Sequence, residues 1–259
     1  MVGSAAGQVI VVRVIPYRDA DVVAHLLGSE AGAVAALVHG ARRQKSRYRS
    51  RIEPLAEMTA TLSRGRGDLW RIGDARDHVD RPHLRSSWLA QQAATIALEV
   101  AWQSSDEGGD PHATFWLCHR MLDVLDRTAA HPERLKADAA ALLVGHGTKL
   151  LVAAGYAPRL AACIRCGDDR GLGWFSIEDG GTACTGCVRP GDLQLEDGML
   201  PAMRLALTHP LADLPGQASE ATWTRVLHGP IRRLVEAHLG VRMRRMEEGP
   251  RPGPARHGL

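Results

Sequence analysis

The sequence predicts an α+β chain of more than one domain: a small closed β-barrel, then a helical bundle interrupted by a cysteine-rich insertion. Three observations predict it. Five short strand-like runs crowd residues 1–80, with no helical pattern between them. From Arg81 onward, apolar residues recur at helical spacing. Four of the chain's five cysteines fall in one stretch, from Cys163 to Cys187. A chain of 259 residues suits two or three small domains. The boundaries read as a barrel over 1–80, a helical domain in two parts over 81–159 and 192–246, and a cysteine module over 160–191. A tail over 247–259, rich in Arg, Pro and Gly, is expected to be disordered.

Residues 8–16 (QVIVVRVIP) are dense in Val and Ile and read as the first strand. Residues 22–28 (VVAHLLG) and 33–39 (AVAALVH) form a hairpin around Ser29–Gly32, a four-residue turn with glycine last. Residues 56–63 (AEMTATLS) and 68–74 (DLWRIGD) are the fourth and fifth strands, the latter anchored by Leu69 and Ile72. Arg64-Gly65-Arg66-Gly67 turns between them. A closed barrel of five short strands is the OB-fold, which often carries single-stranded nucleic acid.

Between the third and fourth strands runs HGARRQKSRYRSR, His39 to Arg51. Six of the ten residues from 42 to 51 are Arg or Lys and none is acidic. The ordinary reading of a charge run is a solvated loop. This one is unopposed, carries an aromatic residue and sits on a barrel, which points to phosphate. The candidate DNA contacts are Arg42, Arg43, Lys45, Arg47, Tyr48, Arg49 and Arg51, with Arg64 and Arg66 on the next turn. Arginine both pairs with phosphate and stacks on bases. No periodic apolar face anchors the segment, so it is expected to be flexible.

Pro82 opens a helical pattern with Leu84, Trp88, Leu89, Ile96, Val100 and Ala101 on its apolar face. Gly108-Gly109 breaks it, and Asp110-Pro111 starts the next helix as N-cap and first residue. That helix carries Phe115, Leu117, Met121, Leu122 and Leu125, with Cys118 among the core positions. Pro132 starts a third, with Leu135, Ala139, Leu142 and Leu143, loosened at Gly145 and Gly147 and ended at Gly155. Residues 200–207 make a short helix after the cysteine module, and Ser219 caps another that contains Trp223 and Leu227. Gly229-Pro230 breaks it before a last face of Ile231, Leu234, Val235, His238 and Leu239.

Cys163-Ile164-Arg165-Cys166 and Cys184-Thr185-Gly186-Cys187 are two Cys-x-x-Cys pairs separated by 17 residues, a spacing suited to one structural zinc. Two cysteines three apart on a tight turn can aim both sulfurs at one ion, and zinc takes four in a tetrahedron. Gly171–Ile177 with Gly180-Gly181 reads as a hairpin between the pairs. The alternative for the same thiols is two disulfides. The N-terminus lacks the basic start of a signal peptide, and no apolar run approaches the ~18 residues needed to cross a bilayer. A cytoplasmic location follows as the expectation, with no membrane partner, and there a four-cysteine set holds metal.

A zinc enzyme is the competing class. A nucleobase deaminase pairs His-x-Glu with Pro-Cys-x-x-Cys, and His131-Pro132-Glu133 partly fits. Ala162 precedes Cys163 where that pattern has proline, and four thiolates leave no open position for water. Phosphate-loop, G-x-S-x-G and acidic metal motifs are not evident, so no catalytic residue is assigned. A zinc-ribbon module that binds RNA or serves transcription is the second reading.

The order of these parts resembles a known family. KLLVAAGYAPRLAACIRCG, Lys149–Gly167, is similar to the helix leading into Gly-Tyr-x-Pro and Cys-x-x-Cys-Gly of the RecO family of bacterial DNA repair and recombination mediators. Tyr17-Arg18-Asp19-Ala20-Asp21, the basic run after His39-Gly40, Gly67-Asp68-Leu69, and His238-Leu239-Gly240 with Arg242–Arg245 also resemble it. The resemblance covers residues 8–246. It implies binding of single- and double-stranded DNA, annealing of complementary strands, and nucleoid association. It also implies contact with the C-terminal tail of the single-stranded-DNA-binding protein (SSB), and action with RecR to load RecA. It implies no catalysis. Some members lack the cysteines, which fits a structural zinc. Arg120, Arg127 and Arg134 are candidates for pairing with an acidic tail, though ordinary solvated helix positions are the favoured reading. Before residue 81 the aromatic residues are Tyr17, Tyr48 and Trp70, so sequence-independent electrostatic binding is expected over extensive stacking.

Overall fold

The computed structural model describes residues 4–48, 51–64, 69–105 and 110–243. The expected tail over 247–259, the turn at Gly65–Gly67 and Gly108-Gly109 lie outside them.

Five strands close a barrel in the order β1-β2-β3-β5-β4, as the OB-fold requires. They are β1 (Ser4–Tyr17), β2 (Asp21–Gly28), β3 (Gly32–Val38), β4 (Glu57–Arg64) and β5 (Trp70–Arg76). The long first strand makes closure possible. Its first half pairs with β4 from Ser4 to Ile10, its second half with β2 from Val9 to Tyr17, and a bulge lies between Val11 and Arg13. A bulge bends a strand and strengthens its twist. β3 and β5 seal the wall through a short parallel pairing at Ala36–Trp70 and Leu37–Arg71.

Strand alternation then divides two cores. Val9 and Val11 point into the barrel with Leu26, Met58 and Leu62. Ile10, Val12 and Leu27 point outward into the core of the helices. The barrel is therefore docked by the back of its own strands.

Among the described residues seven α-helices follow: α1 (Pro82–Ser86), α2 (Trp88–Ser104), α3 (Pro111–Ala129), α4 (Leu135–Ala153), α5 (Met199–Thr208), α6 (Glu220–Val226) and α7 (Arg232–His238). α4 is the axis of the bundle, packed by α2, α3, α5, α6 and α7 and buried continuously from Leu142 to Thr148. Asp110 caps α3 ahead of Pro111, and Ser219 caps α6, both as the sequence predicts. The chain kinks through a π turn at Leu227–Ile231, where Gly229 leaves helical geometry ahead of Pro230.

Three expectations about the helices are corrected. The stretch from Pro82 is two helices, because Ser87 is extended and its hydroxyl accepts from the Ala90 N–H to start α2 anew. Trp88 is consequently 59% exposed and is not a core residue. Gly145 and Gly147 do not loosen α4, which runs through both. A Cβ at Gly145 would collide with Leu214 and lie 2.8 Å from Leu211, and one at Gly147 would lie 3.2 Å from Ile231. These glycines permit close packing. Finally, Pro132 lies in a turn, and α4 starts at Leu135.

Candidate metal centre and nucleic-acid surface

The two cysteine pairs sit on matched turns. In each, the chain folds back on the first cysteine: the Gly167 N–H reaches the Cys163 carbonyl at 2.8 Å, and the Cys187 N–H reaches the Cys184 carbonyl at 3.0 Å. Gly167 has φ of 81°, a left-handed conformation that favours glycine. Between the turns, β6 (Leu172–Ser176) and β7 (Gly181–Cys184) pair antiparallel as the expected hairpin. β8 (Leu193–Gln194) adds a short third strand on the other side of β6. Phe175 on β6 is fully buried in the helical core, which anchors the module.

All four Sγ atoms lie within 4.8 Å of one another, and Cys166 and Cys184 approach to 3.7 Å. Sulfurs about 2.3 Å from a tetrahedral ion lie about 3.8 Å apart, so the set fits one. Its electrostatics agree. Backbone N–H groups, first that of Cys184, hold the Cys163 thiol down to about 6. The neighbouring Cys166 and Cys184 thiols push Cys187 up to about 12. Four clustered thiols resist joint ionisation until a cation offsets their charge. Among the described residues this is the one group arranged to hold a metal, and His131 and Glu133 are not part of it.

Arg165, inside the first cysteine pair, is a member of the centre that spacing did not reveal. Its guanidinium donates to the Cys187 carbonyl at 2.7 Å, to Asp192 at 2.6 Å and to Asp179 at 2.7 Å. It ties the first turn to the second and both to the hairpin. The Arg165 pairing holds the Asp192 carboxyl down to about 2.

The basic segment lies along one side of the barrel, held at both ends. At its start, Asp21 accepts from the Gly40 N–H at 2.7 Å and meets His39 at 3.0 Å, which keeps the Asp21 carboxyl below its usual range. At its end, Tyr48 is 7% exposed, packs into the barrel interior with Ile52, and donates its hydroxyl to the Gly73 carbonyl at 2.6 Å. Two expectations are corrected here. Tyr48 is a plug for the barrel and does not offer its ring for stacking. The segment does have apolar anchors, two residues too few for a periodic pattern to reveal.

Arg42, Arg43 and Lys45 are exposed on the anchored segment, and none lies within 4.0 Å of a carboxylate among the described residues; Arg43 folds its stem back over Gly40, near enough for its charge to help hold the Asp21 carboxyl down. Arg47 lies over the Tyr48 ring and bonds its hydroxyl at 2.6 Å, and Arg51 donates to the Ala75 carbonyl at 2.7 Å. Arg64 lies 5.0 Å over the Trp70 ring. Arg49 and Arg66 fall outside the described residues. Among the tail candidates, Arg120 and Arg127 are exposed on α3, and Arg134 lies 3.7 Å from Asp138.

Sequence reasoning also missed the joint between barrel and helices. Glu57 on β4, Arg81 before α1, and His119 and Asp123 on α3 form one network. Arg81 donates to Glu57 at 2.7 Å and to Asp123 at 2.8 Å, while His119 lies 2.8 Å from Glu57 and 3.2 Å from Asp123. Glu57 sits in an otherwise unremarkable strand, so no local signal marked it.

No helix among the described residues is long and apolar enough to cross a membrane. Two family models match the chain: the N-terminal region of recombination protein O over residues 4–77, and its C-terminal region over residues 85–247. The chain is 33% identical to the DNA repair protein RecO of Rubrobacter xylanophilus over 236 residues, 89% of this chain and 88% of that protein. It is 30% identical to the protein of the same name from Anaeromyxobacter sp. strain K over 251 residues, 90% of this chain and 91% of that one. The corresponding protein of Symbiobacterium thermophilum is 30% identical over 204 residues, 76% of this chain and 78% of that one. With both family models matched in order across barrel and helices, the chain belongs to the recombination protein O family of DNA repair proteins.

Proposed function

We propose that this chain is a non-catalytic DNA-binding and annealing mediator that works with RecR to load RecA onto SSB-coated single strands. The observation that carries the DNA contact is the exposed trio Arg42, Arg43 and Lys45, held on a fixed segment with no carboxylate within ion-pairing distance among the described residues. Such a surface screens two phosphate backbones and leaves base edges free, which annealing requires. Arg47, Arg51 and Arg64 extend it, partly satisfied by the protein itself. Contacts to phosphate carry no sequence information, so binding is independent of sequence, and both single and double strands present the phosphates that such a surface takes. The SSB tail is acidic chemistry suited to the exposed arginines of the helices.

One zinc held by Cys163, Cys166, Cys184 and Cys187 would be structural, since four protein thiolates complete a tetrahedron. It would supply the charge that lets the thiols pack together and would lock the module. A closed thiolate set has no open position for a reacting water, which supports the non-catalytic reading.

The test is equilibrium binding to an oligothymidylate across a salt series. Each phosphate released of its counterion contributes about −0.7 to the slope of log K against log salt on a single strand. Arg42→Ala/Arg43→Ala/Lys45→Ala should make the slope shallower by about 2, equally for mixed sequences. An unchanged slope would remove this surface from the reading. The metal and the basic surface also suit a zinc-ribbon RNA binder, but the family membership favours the DNA mediator.

A further inference from the structure

Four apolar or aromatic side chains on the barrel wall belong to neither core. The register of β1, β2, β3 and β5 fixes one row across them: Ile15 opposite Val23, Val23 opposite Leu37, and Leu37 opposite Arg71. Their neighbours along the strands, Val14, Val22, Ala24, Ala36, Val38 and Ile72, pack inside the barrel, so the row points outward. Ile15 is 43% exposed, and Val23 and Leu37 are half-buried. Tyr17, two residues beyond Ile15 on the same side of β1, is 37% exposed. None of the four joins the barrel core or the helical core. At about 4.8 Å per strand the row is about 14 Å long, room for a short run of unpaired bases.

The helices stop short of this row. On one side of it Arg13 faces His25, and Trp102 of α2 covers both: its ring lies 4.4 Å from the His25 ring and 5.3 Å from the Arg13 guanidinium. On the other side the sheet runs into the basic segment. Tyr17 faces Asp21, whose carboxylate is taken up by His39 and the Gly40 N–H, and the Arg42 N–H donates to the Ala20 carbonyl at 3.0 Å. Arg18 lies 5.2 Å over the Tyr17 ring, and Arg71 ends the row, exposed. Asp19 is an exposed carboxylate at the tip of the turn. The row is thus an apolar strip bordered by Arg18, Arg42 and Arg71, and it shares an edge with the cationic trio.

We infer that Ile15, Val23 and Leu37, with Tyr17, are where the bases of a single DNA strand rest while the basic segment holds its phosphates. The inference rests on the DNA-binding reading above. The occupant is unpaired DNA because the strip is continuous with the surface of Arg42, Arg43 and Lys45, so a strand held there passes over it. Phosphates match the arginines, and base faces match the apolar floor. Oligonucleotides lie on the face of strands 2 and 3 in OB barrels, and here the helices leave this part of that face open. Ile15, Val23 and Leu37 offer no side-chain donor or acceptor. Bases on them are held by their faces and keep their pairing edges free, which suits annealing and gives no sequence preference. Paired bases cannot turn their faces to the sheet, so a duplex gains nothing from the row.

The experiment measures binding of the full chain, wild type, Ile15→Thr/Tyr17→Thr, Val23→Thr and Tyr17→Phe, to an oligothymidylate and to a duplex of equal length across a salt series. Arg42→Ala/Arg43→Ala/Lys45→Ala runs alongside. Threonine keeps the strand preference of β1, and the replaced side chains lie outside both cores, so the melting temperature should hold. Ile15→Thr/Tyr17→Thr should weaken oligothymidylate binding about ten-fold, within the range of one lost base contact. The salt slope should stay at the wild-type value, since no phosphate contact is removed. Val23→Thr should lose affinity in the same direction, Tyr17→Phe should bind as wild type does, and duplex affinity should hold throughout. Oligothymidylate affinity within about two-fold of wild type in Ile15→Thr/Tyr17→Thr, while the arginine variant loses binding, overturns the row as a base site and keeps the DNA-binding reading. Equal loss on both DNAs overturns it as well. A wild-type chain that binds neither DNA overturns the DNA-binding reading itself.

Discussion

Glu57 on β4 and Arg81 before α1 form an ion pair at 2.7 Å in which the side chains are 0% and 6% exposed. Twenty-four residues apart, they join the barrel to the bundle through a pair shut off from water. Asp123 and His119 supply further partners from α3. Two charges removed from water in this way hold only while each keeps its partner.

Cutting one side of that pair should therefore cost more than cutting both. Arg81→Met strands the Glu57 carboxylate and should destabilise the chain by about 3–5 kcal/mol. Glu57→Leu/Arg81→Met should cost less than the sum of the single changes. Urea unfolding of the four species in a double-mutant cycle measures the coupling. Additive losses would show that the pair is not a joint.

A second prediction concerns pH. His146 is 1% exposed in the middle of α4, its Nε2 lying 3.7 Å from Cys118 Sγ, and burial lowers its pKa from 6.5 to about 4. The unfolded chain then binds a proton between those values that the folded chain refuses. Stability is full above about pH 6.5 and falls as pH drops toward 4, by up to about 3 kcal/mol. His146→Gln should flatten this limb. The difference between wild type and variant at pH 7 and at pH 5 isolates it from metal loss, which both share. A constant difference would contradict it.

Gly145 gives a third. Alanine has the better helix propensity by about 1 kcal/mol, which alone would stabilise α4. Its methyl would meet Leu214, which is fully buried and cannot move aside. Overpacking costs about 1–3 kcal/mol, so Gly145→Ala should lower stability overall. Combining it with Leu214→Ala should restore part of the loss relative to the two changes summed. Thermal melts of the four species decide it.

The metal prediction is the fourth. The chain should bind one zinc, measured by elemental analysis of dialysed protein, and Cys163→Ser should abolish it. The variant should lose stability in the cysteine module, including the burial of Phe175, while keeping the same chemistry elsewhere. Metal-free wild-type protein with an unchanged melting temperature would rule out a structural role.

How far the sequence carried this depended on the range of each signal. The Val- and Ile-rich run at residues 8–16 and the two Cys-x-x-Cys turns are local signals, so both read correctly, as did the caps at Asp110 and Ser219. That Val9 and Val11 face one core and Ile10 and Val12 another was not legible in that run. Glu57 and Arg81 were missed because their meaning lies across the barrel–helix joint. Tyr48 was misread because it stands inside a charge run, and its burial depends on the carbonyls of Ile72 and Gly73 on another strand. Gly145 looked like a weak point because helix propensity says so, and Leu211 and Leu214 lie 66 and 69 residues away in the sequence. Trp88 looked apolar-facing because the helix was drawn without its break at Ser87.

The most direct measurement is the annealing rate of two complementary oligonucleotides coated with their cognate single-stranded-DNA-binding protein, without nucleotide, over a salt series. The account predicts acceleration by the wild-type chain, fading as salt rises, and its loss in Arg42→Ala/Arg43→Ala/Lys45→Ala. No acceleration by a folded, metal-loaded wild-type chain would contradict it.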